Sequence, residues 1–412
     1  MNEKLVDALK RWTAKLSEFN AIERQETSIA QKFLIPGKAL FITGIRRSGK
    51  SYLGKMLSKD GIFINCEDPI IKTSSPQEIF EGTINICEQK KPKIIFIDEV
   101  QEINNFQILV RNLLDYFNLP VIVTGSSSSI LREDISSHLA GRYLSLELFP
   151  LSFSDYLRFL GIDTSLLSEE KAFAYLDSFM ESGSFPEVVL NRDRASDLLL
   201  SYFSTVVIKD VKERYNVREG QKLEMFARVL AENPATLLSL RKIGKNIGIS
   251  PTTAENFSSY FNEVYFINQI QKYSPKTYEP IRSMKKSYLS DIGFHTIFYA
   301  GRGEKRARAM ENIVAIELFR RYGRNNIFYH STPEGYEVDF LVREKNRITK
   351  LIQVAYDIDD KNIKRELRAL RKAVEKFEGA EPIVITMNKE GTENFNGVDI
   401  RFVKLWKWLM RT

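Results

Sequence analysis

The residues best suited to chemistry lie between 44 and 51, where Gly44-Ile45-Arg46-Arg47-Ser48-Gly49-Lys50-Ser51 fits the pattern G-x-x-x-x-G-K-[S/T]. Glycine at both ends of such a loop lets the backbone curl until successive N–H groups converge on phosphate oxygens. A helix starting at its end adds a positive dipole. The run from Gly44 to Ser51, together with Tyr52, is then the nucleotide-contacting set. Lys50 supplies a cation for the β- and γ-phosphates and Ser51 a hydroxyl for Mg²⁺, so ATP and Mg²⁺ are the expected cofactors. A glycine-rich turn would satisfy the same spacing, and a second element separates the two readings. Ile94-Ile95-Phe96-Ile97 ends in Asp98-Glu99, which offers one carboxylate, Asp98, to the metal and a second, Glu99, as general base for the attacking water. Val121-Ile122-Val123 runs into Thr124-Gly125-Ser126. Thr124 and Ser126 are the candidates for sensing the γ-phosphate, with a plain serine-rich turn as the rival reading.

These groups meet only if the apolar runs before them lie side by side. Residues 39–43, 62–65, 94–97, 121–124 and 143–148 read as buried strands, with helical patterns between most of them. That order predicts an α/β fold with a parallel sheet, whose ligands collect at the C-terminal ends of the strands.

The runs GIRRSGKS, IIFIDEVQEI, VIVTGSSSSIL and LAGRYLSLELFPLSF together resemble the AAA+ superfamily ATPases of archaea and bacteria that carry a nuclease-like C-terminal domain. The resemblance covers nearly the whole chain. It implies an AAA+ core over 1–150, a helical lid over 151–235, a winged helix-turn-helix over 236–295 and an α/β restriction-endonuclease-like domain over 296–412. In that group the arginine matching Arg142 is an arginine finger for a neighbouring subunit's γ-phosphate. A finger acting in trans implies a homo-oligomer, for which a hexameric ring is one arrangement. A surface arginine at a strand start is the alternative.

Residues 151–235 show helical periodicity and a turn cluster at Gly183-Ser184-Phe185-Pro186-Glu187, without a strong strand signal. Residues 238–247 read as a short helix, broken at Gly248-Ile249-Ser250. A second helix follows from Pro251, with Thr252 and Glu255 as a capping box. The pair makes a helix-turn-helix. Arg241, Lys242 and Lys245 are its candidate DNA contacts. No Lys or Arg occurs from Thr252 through Val264, so the module reads equally as a DNA binder or as a packing element.

After a basic stretch with Arg302, Lys305, Arg306 and Arg308, the spacing predicts a helix over 309–322, strands at 327–329, 337–342 and 351–355, and an amphipathic helix through Leu367, Leu370 and Phe377. This order resembles the PD-(D/E)xK nuclease fold. In active members two acidic positions and an E-x-K hold Mg²⁺ and activate water. Glu311 and Asp339 match the acidic positions, but Gln353 and Ala355 stand where the last acid and the lysine belong. Cleavage is not expected unless another lysine reaches the site. Arg368 and Arg371 on the basic helix are candidate contacts to a DNA backbone.

Composition narrows the classes. The chain has 412 residues, 43% hydrophobic and 27% charged, as in globular proteins of several domains. Its net charge of +7 and pI near 9.0 favour a polyanionic partner. Cys66 and Cys87 are not paired at metal-ligand spacing, and His138, His295 and His330 are scattered. Neither a zinc site nor a disulfide framework is expected. The first residues lack a signal-peptide core, and no apolar run approaches the roughly 18 residues that span a bilayer, so a cytoplasmic location is expected and no membrane partner. The combined expectation is an oligomeric Mg²⁺-dependent ATPase acting on duplex or branched DNA as a motor for translocation, unwinding or branch migration. The alternatives are an ATP-dependent nuclease in repair or defence and a regulatory ATP switch with protein partners.

Overall fold

The computed structural model describes residues 2–131, 139, 141–274, 283–299, 303–332, 334–356 and 360–411, with side chains described for all but 303–305 and 360–366. Two compact units emerge, one of residues 1–150 with 263–265, the other of 151–262 with 266–412.

The first unit is built on five strands: β1 (Ala39–Thr43), β2 (Ile62–Asn65), β3 (Ile95–Asp98), β4 (Val121–Gly125) and β5 (Tyr143–Glu147). Their order is β2-β3-β4-β1-β5, and every pairing is parallel. β1 and β4 are buried at every residue, so helices must cover both faces and the strands carry no polar alternation. Two apolar layers do this. On one side α1 (Glu3–Ala14), α4 (Pro76–Lys90) and α5 (Phe106–Tyr116) pack Leu5, Leu9, Ile79, Leu109 and Leu113 over Phe41, Ile95 and Val121. On the other, Leu53 of α3 (Lys50–Leu57) and Ala30 of α2 (Gln25–Lys32) lie over Ile42, Phe96 and Ile122. Ser75 and Glu78 cap α4 reciprocally, each side chain taking the other's backbone N–H, which fixes where that helix starts.

The second unit begins with helices and no strand among residues 151–235. They include α6 (Glu169–Ser182), α7 (Ala195–Thr205), which runs on as a π-helical segment to Glu213, and α8 (Gly220–Glu232). The short strand β6 (Thr236–Leu237), α9 (Leu240–Ile247) and α10 (Pro251–Glu263) follow, then β7 (Ile267–Lys272) and β8 (Lys286–Leu289). The cap of α10 differs from expectation. Ser250 receives the N–H of Thr253 at 3.1 Å, because Pro251 occupies the first helical position and makes its predecessor the N-cap. Thr252 already lies inside the helix.

The helix predicted from 309 starts earlier, as α11 (Gly303–Tyr322). Beyond it come β9 (Ile327–Ser331), β10 (Glu337–Glu344), β11 (Arg347–Ala355), α12 (Asp360–Lys376), β12 (Glu381–Thr386), β13 (Gly391–Phe395), β14 (Val398–Lys404) and α13 (Leu405–Met410). All nine strands of this unit form one mixed sheet, ordered β13-β14-β12-β11-β10-β9-β7-β8-β6. The junction is a parallel pairing of β7 with β9 at Gln271↔Phe328 and Lys272↔Tyr329. The strands on either side of the expected boundary at 295/296 therefore belong to one hydrogen-bonded sheet.

A buried carboxylate stitches the helices to this sheet. Asp291, just after β8, accepts from the Ser184 N–H at 2.7 Å, the Ser184 hydroxyl at 2.8 Å and the Gly293 N–H at 2.8 Å. Its approach explains Gly183, where a Cβ would stand 1.9 Å from the Asp291 carboxylate. Burial pushes the Asp291 carboxyl up to about 6 against these three donors. The folded form therefore holds a proton up to about pH 6, whereas the unfolded chain releases it near the ordinary aspartate value of 3.8. Stability from this group is greatest below pH 4 and falls as pH rises toward 6. Asp291→Ala should cost on the order of 3 kcal/mol, since two buried backbone donors lose their acceptor. Urea unfolding should show a larger loss at pH 5 than at pH 7.

Candidate functional site

The parallel register brings the predicted nucleotide residues to one edge. Thr43 pairs with Gly125 and Glu147, and Asn65 with Asp98. The loop after β1, the acidic pair ending β3 and the polar turn after β4 therefore share the C-terminal edge. Gly44 (φ 140°) lies so close to the strand-5 exit that a Cβ would be 2.2 Å from the Leu148 carbonyl oxygen. Arg47 takes a left-handed φ of 70°, and Gly49 caps α3. The Lys50 ammonium is buried inside the loop, donating to the Ile45 carbonyl at 3.0 Å and standing 4.0 Å from Glu99. Arg46 pairs with Glu67 at 3.6 Å. Tyr52 is 60% exposed and meets Phe19 edge-on at 5.2 Å.

Thr124 organises the acidic pair. Its hydroxyl donates to Asp98 at 2.5 Å and accepts the Glu99 N–H at 3.0 Å. That second bond holds Glu99 at φ 53°, ψ 52°, a left-handed conformation uncommon outside glycine. The Glu99 carboxylate receives the Gln101 amide, which also reaches the Ser126 hydroxyl at 3.4 Å. Burial would push Glu99 up, but Lys50 and Arg46, with hydrogen bonds from Gln101 and Ser126, hold it below the usual glutamate value. Asp98 moves the opposite way. Burial, then the Glu99 charge, raise it to about 6 despite hydrogen bonds from Thr124 and Ser51. Thr124 and Ser126, expected to face a phosphate, are thus tied to the two carboxylates.

The donor set suits Mg²⁺·ATP. The Ser51 hydroxyl and Asp98 are hard oxygen donors hydrogen-bonded to each other, and Lys50 is a cation buried in the loop. Mg²⁺ bound there would neutralise charge on the phosphates. One further residue escaped the sequence reading. The guanidinium of buried Arg24 donates to the Ser48 carbonyl at 2.6 Å, to Phe149 at 2.8 Å and to Pro150 at 3.3 Å, with Glu26 3.4 Å from its Nε. Arg24 therefore fastens the underside of the phosphate loop to the segment leaving β5. Arg142 lies at the opposite edge of the sheet, where its carbonyl receives the N–H of Ala39 and its side chain pairs with Asp115 and the Gly37 carbonyl.

A second charged centre lies in the other unit. Glu311 of α11 and Asp339 of β10 both lie against Lys286 of β8. The Lys286 ammonium, 4% exposed, lies 2.8 Å from Glu311, 2.7 Å from Glu337 and 3.1 Å from Asp339. Burial disfavours its charge, yet Glu311, Tyr288, Asp339 and Glu337 together raise Lys286 well above the ordinary lysine value. Burial and Asp339 push Glu311 up to about 7 against Lys286. Gln353 accepts the Asp339 N–H at 3.3 Å through its side-chain oxygen, and Ala355 is buried.

The basic candidates divide. Arg241, Lys242 and Lys245 are all exposed on α9, and Arg368 is exposed on α12, while Arg371 pairs with Glu375 at 3.2 Å. Arg306 is engaged by Asp177 at 3.0 Å and Arg308 by Asn233 at 3.2 Å. Arg302, the side chain of Lys305 and His138 lie outside the described residues. His295, His330, Cys66 and Cys87 are buried, and among the described residues no three His, Cys, Asp or Glu side chains are placed so that they could hold a metal ion. Likewise, no helix among them is long and apolar enough to cross a membrane.

Removing Arg24 leaves buried carbonyls without a donor and frees the loop. Arg24→Ala should raise the Kd for ATP roughly tenfold, about 1.4 kcal/mol, with a partial return in Arg24→Lys. Lys50→Ala should remove binding more completely, and calorimetric titration with ATP compares the three.

Comparison with known proteins agrees with this geometry. Residues 36–157 match the family described as AAA domain. Residues 174–300 and 306–407 match two domains of unknown function, DUF8612 and DUF4143. Both of those segments contribute strands to the nine-stranded sheet. The uncharacterized protein MJ1544 of Methanocaldococcus jannaschii is 32% identical over 91% of this chain and 89% of its own length. An uncharacterized protein of Haemophilus influenzae is 27% identical over 77% of this chain and 82% of its own. Among solved structures, the Aeropyrum pernix ORC1 protein in complex with DNA aligns over 72% of this chain and 91% of that chain, with 12% identity and a TM-score of 0.29. C. elegans PCH-2 aligns over 64% and 69%, with 13% identity and a TM-score of 0.25. At those scores neither likeness assigns an arrangement. The phosphate loop, the acidic pair and the relationship along nearly the whole length make this chain an ATPase with an AAA domain, belonging to the same family as MJ1544.

Proposed function

We propose that the chain is a DNA-acting ATPase that works as a homo-oligomer, with the AAA domain turning over ATP and the second unit gripping duplex or branched DNA. In this reading Lys50 draws the β- and γ-phosphates into the loop, and Glu99 takes a proton from the attacking water. Thr124 holds Asp98 and Glu99 at a fixed separation, so that loss of the γ-phosphate is felt at β4. Strand movement there would be the start of translocation, unwinding or branch migration.

The observation that carries the DNA reading is the order α8-β6-α9-α10-β7-β8, with strands arranged β7-β8-β6 and three exposed cations, Arg241, Lys242 and Lys245, on α9. A winged helix has that order. Cations on the first helix of the pair suit the phosphate backbone rather than base edges. The meander β9-β10-β11, followed by α12 and the parallel strand β12, supports a nuclease-like fold for the C-terminal part, and exposed Arg368 extends the basic surface. Arg142 supports the oligomer. Its place at the far edge of the sheet suits a finger for a neighbour and not for its own nucleotide.

One observation favours a second reading, a regulatory switch with protein partners. The exposed face of α10 carries Thr252, Glu255, Asn256 and Ser259, which is no surface for a polyanion. Measuring ATPase rate with single-stranded, duplex and four-way DNA distinguishes the two. Stimulation by DNA is expected, and absence of DNA binding at low salt would overturn the motor. Arg241→Glu with Lys245→Glu should weaken binding to all sequences and flatten the salt slope by about 0.9 for each phosphate no longer neutralised. Arg142→Ala should lower kcat with ATP affinity intact, and mixing it with Lys50→Ala should restore part of the rate if the finger acts in trans.

A further inference from the structure

The fold that the C-terminal part resembles holds a divalent metal between carboxylates of a helix and a strand, and the residues here do not fit that ion. Three carboxylates converge, Glu311, Glu337 and Asp339, but the point they share is filled by the Lys286 ammonium, within 3.1 Å of each. An ammonium has three N–H donors and no acceptor, so three carboxylates satisfy it completely. Neighbouring groups tie the cluster further. Glu311 also takes the Tyr288 hydroxyl at 2.9 Å, Asp339 the Val354 N–H at 3.0 Å, and Gln353 the Asp339 N–H at 3.3 Å. A Mg²⁺ or Mn²⁺ ion, which needs oxygens at about 2.1 Å, would have to occupy the ammonium's own volume.

We infer that Lys286 is a built-in cation standing where a metal would otherwise lie, so that this centre is a sealed ion cluster that neither takes a divalent ion nor cuts phosphodiesters. The lysine is not a displaced catalytic one. A catalytic ammonium must stand beside the metal and the reacting phosphate, and this one is buried with all three donors engaged. The cluster has a mechanical role instead. Lys286 belongs to β8, whereas its partners belong to α11 and β10, so the bridge joins the strands following the helix-turn-helix to the C-terminal fold. The inference depends on the nuclease-like reading of that fold for the comparison with a metal centre, and on nothing about DNA or ATP turnover.

The test uses the full-length chain without nucleotide, carrying Asp98→Asn to silence the AAA site, and reads Mn²⁺ binding by electron paramagnetic resonance. The parent should show no Mn²⁺ that depends on Asp339. Adding Lys286→Met should create a site for roughly one Mn²⁺ per chain, lost again with Asp339→Asn, and Mn²⁺ should raise the melting temperature of the Lys286→Met protein only. Asp339-dependent Mn²⁺ binding or DNA cleavage in the parent would overturn the inference, as would a folded Lys286→Met protein that binds no Mn²⁺. Should Lys286→Met fail to fold, the charge-balanced variant with Glu311→Gln and Glu337→Gln is expected to recover folding. Failure of that variant also overturns the ion-cluster role.

Discussion

A charge taken out of water must be met by an opposite one that the backbone holds in place, and both centres of this protein follow from that constraint. Each is organised around a buried lysine. Lys50 donates to a loop carbonyl at 3.0 Å and stands 4.0 Å from a carboxylate, in the loop whose pattern is suited to phosphates. Lys286 has three carboxylates within 3.1 Å and nothing left to offer. The same side chain in the same degree of burial thus serves a phosphate-loop motif in one unit and a carboxylate cluster in the other.

The phosphate-loop centre was legible because its parts are local. The loop lies within eight consecutive residues, the acidic pair within two, and the apolar runs before them announce the strands. Parallel pairing did the rest. Roles were harder to read than positions. Thr124 looks like a phosphate contact by its place at a strand end, but its hydroxyl lies between two groups, Asp98 and the Glu99 N–H, that only the β3–β4 pairing makes its neighbours.

Arg24 and Lys286 were invisible for one shared reason. Each is a single cation in an ordinary surrounding sequence, and its partners lie far along the chain. Arg24 reaches residues 48, 149 and 150, and Lys286 reaches 311, 337 and 339. No local pattern encodes such contacts. Gln353 and Ala355 did signal a departure from E-x-K, without showing that the acidic residues enclose an ammonium from β8. The cap of α10 was misplaced for a smaller reason. With Pro251 at the first helical position, Ser250 and not Thr252 took the cap.

The joining of β7 to β9 has a consequence for handling the protein. Two segments that sequence families treat separately share one sheet, so the chain cannot be divided near residue 300 without creating two raw strand edges. β7 and β9 would each present unpaired N–H and C=O groups, with apolar residues such as Ile270 and Tyr329 beside them. Exposed edges of that kind recruit further strands and aggregate. A fragment from either side of the cut would therefore tend to precipitate, and its insolubility would reflect the missing half of a sheet rather than any fault in the piece itself.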